Sequence, residues 1–270
     1  MKSRRYIVDT TLRDGEQSAG IAFDVKDKVK LAKLMDDIGI YQIEAGIPAI
    51  GKIEKEAILK IMENKKNAVI SAWNRMNLSD IKHSIECNPD IIHISVPVSY
   101  VQIYSKLRKN KQWLKNNLVE CVEYAMGKGY KVTVGFEDAS RADISFVISL
   151  GMILKEMGVS HIRYADTVGV LTPHNVSDVT RSIMRYTELD VEIHVHNDFG
   201  MAVANSLEAA KNGAKYIDCT FLGIGERAGN CDFIKFIKAS DSILNCGIAK
   251  KEALEVQKEV YNIIKNKNNA

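Results

Sequence analysis

The chain has 270 residues, of which 46% are hydrophobic and 26% charged, and its formal net charge is +3. This is the composition of an ordinary globular protein, and a charge so close to neutral gives no support for nucleic-acid binding. No run of about 18 apolar residues is present, and the start MKSRRYIVDT lacks the apolar region of a signal peptide. The five cysteines include no C-x-x-C pair, which argues against a disulfide framework or a zinc ribbon. We therefore expect a cytoplasmic protein that associates with neither membranes nor nucleic acid.

Eight strand-like segments recur along the chain, and each is followed by the apolar periodicity of an amphipathic helix. In chain order they are RYIVDT (5–10), YQIEAG (41–46), AVISAW (68–73), IIHISV (91–96), KVTVGF (131–136), HIRYAD (161–166), VEIHVH (191–196) and YIDCTF (216–221). Gly39 and Gly158 are two of the glycines that stand where a helix would end before the next strand. Eight consecutive βα units predict a single α/β domain, a TIM barrel.

An open, doubly wound sheet is the alternative fold for such an alternation. That fold usually carries G-x-G-x-x-G after the first strand, whereas this turn reads TTLRDGEQ. One more helical pattern, residues 249–267, follows the eighth unit, and no linker is visible. We therefore predict a TIM-barrel catalytic domain over residues 1–248 and a C-terminal helix over residues 249–270.

The stretch VEIHVHNDFG places His194 and His196 two positions apart in a predicted strand, so that both imidazoles point to the same face. An isolated pair of this kind often only fills space or forms hydrogen bonds. In a TIM barrel, polar groups at the carboxyl ends of the strands converge on one mouth, where burial is costly unless they bind something. Asp14 after the first strand and Asn230 after the eighth strand can reach the same place. The four side chains predict a site for Mg²⁺ or Mn²⁺, with Zn²⁺ as an alternative.

Other polar residues at the strand ends are candidates for catalysis. Open coordination positions on the metal ion would allow a 2-oxo acid to chelate it. Arg13 would then stabilise the charge that develops on the keto oxygen, unless it serves only as an ion-pair partner of Glu44. Glu137 is a candidate general acid or base, and the alternative is an ion pair with Arg13 or Arg141. Thr167 could donate a hydrogen bond to a substrate carboxylate or have only a structural role.

Two further segments could contact an anionic substrate. In GIGERAGN, Gly223 and Gly225 allow close backbone approach, whereas Glu226 and Arg227 could simply pair with each other. The second segment is the basic stretch SKLRKNKQWLKNN (105–117). A solvated surface is its simpler interpretation, and attraction of a polyphosphate-bearing substrate is the alternative.

Three motifs at these positions resemble a known group of enzymes. They are LRDGEQ (12–17) with Lys28 after it, HVHNDFGMAVA (194–204) and GIGERAGN (223–230). All three are typical of the acyl-CoA-dependent 2-oxo acid condensing enzymes of the DRE-TIM metallolyase superfamily, which include isopropylmalate, homocitrate and citramalate synthases. The resemblance implies a Claisen condensation of acetyl-CoA with a 2-oxo acid, dependent on a divalent metal.

The resemblance also implies roles for individual residues. The implied metal ligands are Asp14, His194, His196 and Asn230. The implied catalytic residues are Arg13 and Glu137, and the residues expected to contact the oxo acid are Arg13, Gln17, Arg75 and Thr167. The residues expected on the CoA side are Gly223, Gly225, Glu226 and Arg227.

Segments such as VGFEDASRAD (134–143) and RYADTVGVLTP (163–173) resemble the nitrogenase-associated homocitrate synthases most. This implies 2-oxoglutarate as the acceptor and homocitrate as the product. Relatives from lysine biosynthesis place an arginine on the fifth strand, where it holds the distal carboxylate. Gly135 and Thr133 stand there in this chain, so Arg75 is the expected substitute. Isopropylmalate, citramalate and re-citrate synthases are the alternatives, as is a non-catalytic, metal-binding regulatory subunit.

Members of this group usually continue beyond the barrel, and the extension carries a catalytic histidine and dimer contacts. The sequence ends at Ala270 without such an extension. We therefore expect the barrel subunit of a split synthase, completed by a separately encoded C-terminal subunit, by homo-oligomerisation, or by both.

Overall fold

The computed structural model describes residues 2–268, in which eight parallel strands close into a barrel in chain order. The strands are β1 (Tyr6–Asp9), β2 (Gln42–Gly46), β3 (Val69–Arg75), β4 (Ile91–Pro97), β5 (Lys131–Glu137), β6 (His161–Asp166), β7 (Asp190–Val195) and β8 (Tyr216–Cys219). β1 pairs with β8 from Tyr6↔Tyr216 to Asp9↔Cys219, which closes the ring. The predicted TIM barrel is therefore confirmed, and each predicted strand overlaps an observed one.

Helices surround the barrel and end the chain. They are α1 (Val25–Asp37), α2 (Lys52–Asn64), α3 (Leu78–Cys87), α4 (Lys111–Gly127), α5 (Ile144–Glu156), α6 (Pro173–Thr187), α7 (Ala202–Lys211), α8 (Phe233–Ser240) and α9 (Lys250–Asn268). Gly39 and Gly158 have φ of 86°, the left-handed conformation expected where a helix gives way to a strand. None of the helices within residues 2–268 is long and apolar enough to cross a membrane.

The predicted C-terminal helix corresponds to α9, whose last two predicted positions, 269 and 270, lie outside the described residues. The buried side chains of Val256 and Val260 face the interior as α9 packs against α1 and α8. Outside the barrel, the short strand Ser3–Arg4 pairs in parallel with Leu244–Asn245. These contacts attach the segment after β8 to the rest of the domain.

The alternation of side chains separates an apolar outer layer from a polar interior. In β6, Ile162 and Tyr164 belong to the core cluster shared with the helices, whereas Arg163 and Ala165 face the inside of the barrel. Branched apolar residues usually fill such an interior. Here Arg163 lies among buried carboxylates, including Glu44 and Glu192.

An aromatic group plugs the amino end of the barrel. The rings of Tyr6, Tyr41 and Tyr216 lie 4.6 to 5.6 Å apart, and His161 stacks on Tyr216 at 4.2 Å. The polar interior above this group therefore opens towards the carboxyl ends of the strands, where TIM-barrel active sites lie.

Candidate metal centre and active site

A cavity of about 400 Å³ opens at the carboxyl ends of the barrel strands. It is lined by Arg13, Asp14, Gln17, Trp73, His93, Ser95, Gln102, Lys106, Gly135, Glu137, Arg163, Ala165, Thr167, His194, His196, Glu226 and Arg227. Most of the residues predicted for the site are therefore close together. A larger depression of about 560 Å³ lies beside α8, but among the described residues its only charged side chains are Lys2 and Asp241.

Two histidines and one aspartate converge in the wall of the cavity. The Nε2 atoms of His194 and His196 are 3.2 Å apart. Asp14 Oδ2 lies 3.3 Å from the first of these atoms and 4.0 Å from the second. The alternation of β7 places both imidazoles on the inner face, and the pairing of β8 with β1 brings Asp14 beside them. The three ligand atoms lie within 4.8 Å of one another, close enough to hold one metal ion.

The two histidines differ in charge although their rings are neighbours. His194 Nδ1 lies 2.9 Å from Asp218 Oδ2, which is ion-pair distance although the N–H direction is poorly aligned. Burial opposes the charged form of His194, but Asp218 and Asp14 outweigh it and raise its pKa to about 10. Burial and the neighbouring charge of His194 lower the pKa of His196 to about 3. A metal ion would therefore have to displace the proton of His194, and Asp218 would orient that ring from behind.

Asn230 is buried next to this group and has an amide oxygen without a hydrogen-bond partner. Its Nδ2 donates to the carbonyl oxygen of Ile224 at 3.0 Å, which leaves Oδ1 free. Asp14 Oδ1 is buried without a partner as well. Such oxygens are costly, because the hydrogen bonds lost with water are not replaced. The amide oxygen and the carboxylate therefore have free lone pairs. Together with the two imidazoles, they fit the predicted divalent cation.

The glycine-rich loop after β8 approaches Asn230 very closely. A Cβ atom at Gly225 would lie 2.0 Å from Asn230 Nδ2, and Gly225 has φ of 151°, which other residues rarely adopt. The backbone N–H groups of Gly223 and Gly225 already donate to Thr220 and Ser18. These two N–H groups are therefore occupied within the protein and are not free to bind an anion. Their backbone holds Asn230 in place.

Glu226 and Arg227 form the ion pair that the sequence left as an alternative, with an N···O distance of 2.6 Å. Arg227 also binds Asp198 through two contacts of 2.9 and 3.0 Å. Both residues line the cavity. The charge of Arg227 is therefore largely neutralised within the protein, which weakens its case as a ligand for a phosphate group.

Arg13 lines the cavity and has two carboxylate partners. Its Nε donates to Glu44 Oε1 at 2.6 Å, and its Nη1 lies 3.2 Å from Asp14 Oδ2. The ion pair with Glu44, which was the alternative to a catalytic role, is thus present. The two roles are compatible, because the guanidinium has N–H groups beyond those that the carboxylates occupy.

Glu137 ends β5 in the cavity wall, where Ser95 Oγ donates to its Oε1 at 2.6 Å. The alternative ion pair of Glu137 with Arg141 does not form, because Arg141 binds Asp138 through two contacts of 2.7 Å. Thr167 Oγ1 accepts a hydrogen bond from the backbone N–H of Asp138, which leaves the hydroxyl proton free to be donated. Glu137 and Thr167 therefore each keep a functional group that a substrate could use.

Arg75 lies outside the cavity, which argues against its predicted role as a substrate ligand. Its guanidinium forms a bidentate ion pair with Asp80 of α3, with N···O distances of 2.7 and 2.9 Å. The side chain is 67% exposed. Because a carboxylate matches the planar fork of arginine, this pair fixes the side chain in the outward direction. Trp73, two residues earlier in β3, lines the cavity instead.

Sequence reasoning missed Arg163 and His93, which line the cavity from β6 and β4. Arg163 is buried and binds Glu44 and Glu192, with N···O distances of 2.8 and 2.6 Å. Burial disfavours the charged form of Glu44, but the charges of Arg13 and Arg163 outweigh it and lower the pKa of this carboxyl. The charge of Arg163 lowers the pKa of Glu192 in the same way. His93 is fully buried; its Nδ1 lies 2.8 Å from Thr133 Oγ1, and its Nε2 has no partner. The sequence does contain a signal for these two residues, because each is a polar residue at an inward position of an otherwise apolar strand.

Comparisons with known proteins identify the family of the chain. A family model described as HMGL-like matches residues 4–260. The chain belongs to the HMGL-like family. It is 50% identical over 262 residues to "Homocitrate synthase subunit alpha" of Clostridium pasteurianum, which covers 96% of this chain and 97% of that protein. It is 43% identical over 234 residues to "2-isopropylmalate synthase 2" of Caldanaerobacter subterraneus, covering 87% of this chain. It is 41% identical over 256 residues to "Homocitrate synthase 1" of Nostoc sp., covering 94% of this chain.

These relatives confirm the resemblance that the three motifs indicated. The HMGL-like chain is an acyltransferase of the homocitrate and isopropylmalate synthase type. It spans 61% of the Caldanaerobacter protein and 68% of the Nostoc protein. Among solved structures, the HMG-CoA lyase of Bacillus subtilis superposes with a TM-score of 0.86, at 18% identity, over 97% of this chain and 94% of that one. This structural likeness shows the fold.

Proposed function

We propose that this HMGL-like protein condenses acetyl-CoA with a 2-oxo diacid, 2-oxoglutarate, and so acts as a homocitrate synthase. The observation that carries the proposal is the convergence of Asp14, His194 and His196 with Arg13 at one cavity. A C–C bond would form between the acetyl methyl carbon, which loses a proton, and the keto carbon, whose oxygen gains one. Water would then cleave the thioester, and homocitrate and CoA would be released.

The metal-binding residues would position the keto acid. The proposed ligands are Asp14, His194, His196 and Asn230. A divalent cation held there supplies Lewis-acid polarisation of the keto oxygen. Mg²⁺ and Mn²⁺ suit a donor set that contains two oxygen ligands, and Zn²⁺ is the alternative.

The remaining cavity residues would complete the reaction. Arg13 would donate a hydrogen bond to the keto oxygen as negative charge develops on it. Glu137 accepts from Ser95 through Oε1, so its second oxygen would exchange a proton with the substrate. The free hydroxyl proton of Thr167 would bind the oxo acid carboxylate, and Gln17 supplies an amide in the same wall.

The polarity of the inner cavity favours a diacid. A Cβ atom at Gly135 would lie 2.5 Å from His93 Nε2, so the imidazole occupies the space next to this position of β5. Burial and the charge of Arg163 lower the pKa of His93 to about 3, which keeps the ring neutral. When Nδ1 accepts from Thr133, Nε2 can donate to the distal carboxylate of 2-oxoglutarate. The apolar side chain of 2-oxoisovalerate would leave this buried nitrogen unpaired, which is unfavourable.

A second polypeptide would complete the enzyme. The Clostridium pasteurianum relative, which the chain matches over 97% of its length, is named as a subunit. Apolar side chains are strongly exposed in the segments that follow β2 and β7, with Ile50 at 69%, Ile53 in the first turn of α2 at 71%, and Phe199 at 58%. Such side chains offer a surface to a separate subunit or to a second copy of the chain. The use of homocitrate in nitrogen fixation stays a prediction.

The test is CoA release from acetyl-CoA with a panel of 2-oxo acids, with and without a candidate second subunit. We expect 2-oxoglutarate to be preferred, and His93→Leu to move the preference towards 2-oxoisovalerate. His174→Leu, which changes a histidine that is 84% exposed on α6, is the control. A wild-type preference for pyruvate, 2-oxoisovalerate or oxaloacetate would overturn the substrate. Absence of condensation in every combination, with Mn²⁺ binding retained, would favour a non-catalytic regulatory subunit.

A further inference from the structure

Asp138, the residue after Glu137, has an unusual backbone conformation. It directly follows β5 and has φ of 56° and ψ of 33°, in the left-handed region. Asn88 and Glu188 share this conformation, but they end α3 and α6, where it is common. Asp138 follows a strand instead. Such a conformation costs free energy in a residue with a side chain, so it persists only where surrounding contacts hold it, and it is concentrated at functional sites.

The side chain of Asp138 supplies these contacts. It is fully buried, and both of its oxygens accept hydrogen bonds. Arg141 donates from Nε to Oδ1 and from Nη2 to Oδ2, each at 2.7 Å. Ser99, in the segment after β4, donates from Oγ to Oδ2. Because charge-assisted bonds of this kind are strong and directional, together they fix the carboxylate and the backbone that carries it.

The backbone N–H of Asp138 contacts the neighbouring loop. It donates to Thr167 Oγ1 at 2.8 Å, although the pairing of β5 with β6 ends at Phe136↔Tyr164. A hydroxyl that accepts this N–H must direct its own proton elsewhere. Since Thr167 lines the cavity, the conformation of residue 138 controls the orientation of a hydroxyl that faces the substrate site.

We propose that Asp138 is a positioning residue for the carboxylate of the 2-oxo acid. Its left-handed backbone aims the N–H at Thr167 and so orients the hydroxyl that binds this carboxylate. Ser99 and Arg141 hold the backbone in that conformation through the buried side chain. Asp138 itself does not line the cavity. The inference rests on the proposed function, since it assumes that Thr167 binds a 2-oxo acid.

Three substitutions separate the carboxylate from the backbone conformation. Asp138→Ala removes the carboxylate and disfavours positive φ, whereas Asp138→Gly removes the same carboxylate and adopts positive φ freely. Asp138→Asn tolerates positive φ and keeps an oxygen that can accept from Ser99. The measurement is calorimetric titration of the Mn²⁺-loaded full chain with 2-oxoglutarate. Where the panel of 2-oxo acids shows another preference, the preferred acid is the titrant.

We expect Asp138→Ala to bind the oxo acid about tenfold more weakly, the value of one hydrogen bond to a charged group. Asp138→Gly and Asp138→Asn should remain within about threefold of wild type, because residue 138 keeps its conformation. A purely structural carboxylate predicts another order, in which glycine is no better than alanine, since both lose the same bonds. Affinity for Mn²⁺ should be unchanged in all three variants, because none of the proposed ligands belongs to β4, β5 or β6.

The control is Asp80→Ala, because Asp80 is buried and binds Arg75 with the same bidentate geometry but lies outside the cavity. Its affinity for the oxo acid should equal that of wild type. Equal affinity in Asp138→Ala and this control would overturn the proposal, as would binding by Asp138→Gly as weak as that by Asp138→Ala.

Two further measurements cover a variant that does not fold and a chain that does not bind oxo acids. Arg141→Met removes two of the three bonds to Asp138 at a side chain that is 43% exposed, and it should weaken oxo acid binding by about threefold. Wild-type affinity in this variant would contradict the proposal. Crystal structures should show the hydrogen bond to Thr167 lost in Asp138→Ala and kept in Asp138→Gly, and a bond kept in both would also overturn it. If that bond responds as expected but the wild type neither binds nor condenses any 2-oxo acid, the proposed function alone fails.

Discussion

Replacing Gly225 by alanine should test whether the loop after β8 supports the proposed metal site. The new Cβ would lie 2.0 Å from Asn230 Nδ2. Since real Cβ atoms essentially never approach other atoms within 3.0 Å, the amide must move by roughly 1 Å. Because the amide group is rigid, its Oδ1 must move as well, and Asp14 Oδ1 lies 3.4 Å from the same Cβ position. We expect Mn²⁺ affinity to fall about 10- to 100-fold, the loss typical when a group that orients the ligands of a metal is disturbed.

The matched control is Gly51→Ala, because Gly51 has φ of 155°, close to the 151° of Gly225, but nothing within 4 Å of its Cβ position. Both changes should cost a similar backbone strain, on the order of 1–3 kcal/mol. Calorimetric titration with Mn²⁺ gives the affinity, and thermal unfolding in the absence of metal gives the stability cost of each variant. Equal Mn²⁺ affinity in the two variants would refute the assignment of Asn230 to the metal site.

Three further predictions concern the same cavity. Glu137→Gln should lower the condensation rate by about 10²- to 10⁴-fold without changing the Mn²⁺ affinity measured by calorimetry. A condensation rate close to wild type would show that Glu137 is not the general acid or base. The pKa of His194 is raised from 6.5 to about 10, so its contribution to stability without metal is fully present below pH 6.5 and lost as pH rises through 10. For the same reason Mn²⁺ affinity should increase with pH over this interval, and a pH-independent affinity would exclude His194 as a ligand. Arg163→Met should lower the free energy of unfolding by about 3–5 kcal/mol, because the buried carboxylates lose their partner. The control Arg185→Met, on the surface of α6, should lower it by less than about 0.5 kcal/mol, and urea unfolding measures both values.

Much of the candidate metal site was predictable, because it depends on local rules of strand geometry and on strand order. His194 and His196 share a face in any strand, and strand order alone places Asp14 beside them once the barrel closes. Asn230 follows in the loop after β8, and the motifs around all four residues carried the resemblance to the 2-oxo acid condensing enzymes. The choice among the alternatives for Arg13 and Glu137 was not predictable in this way. It depends on which charged side chain lies nearest, and this is set by strands far apart in the sequence, as in the pairing of Arg13 with Glu44.

Arg75 and Arg163 show most clearly that the sequence does not predict which polar side chains line the cavity. Both are arginines in strands that are otherwise rich in apolar residues, so composition alone does not tell which of them lines the cavity. Arg75 stands at the end of its strand, where Asp80 of the following helix holds it outside. Arg163 stands in the middle of its strand, where the closed barrel surrounds it with Glu44 and Glu192.

By itself, then, the sequence determined the eight βα units, the single barrel and the side chains able to bind a divalent metal. These features follow from apolar periodicity and from the side-chain direction within one strand. Only the tertiary structure decided that a neutral His93 occupies the inner wall next to Gly135, and that Arg163 lines the cavity whereas Arg75 does not. Coulomb interactions and steric contacts depend on distances across the barrel. Those distances exist only after distant strands have come together.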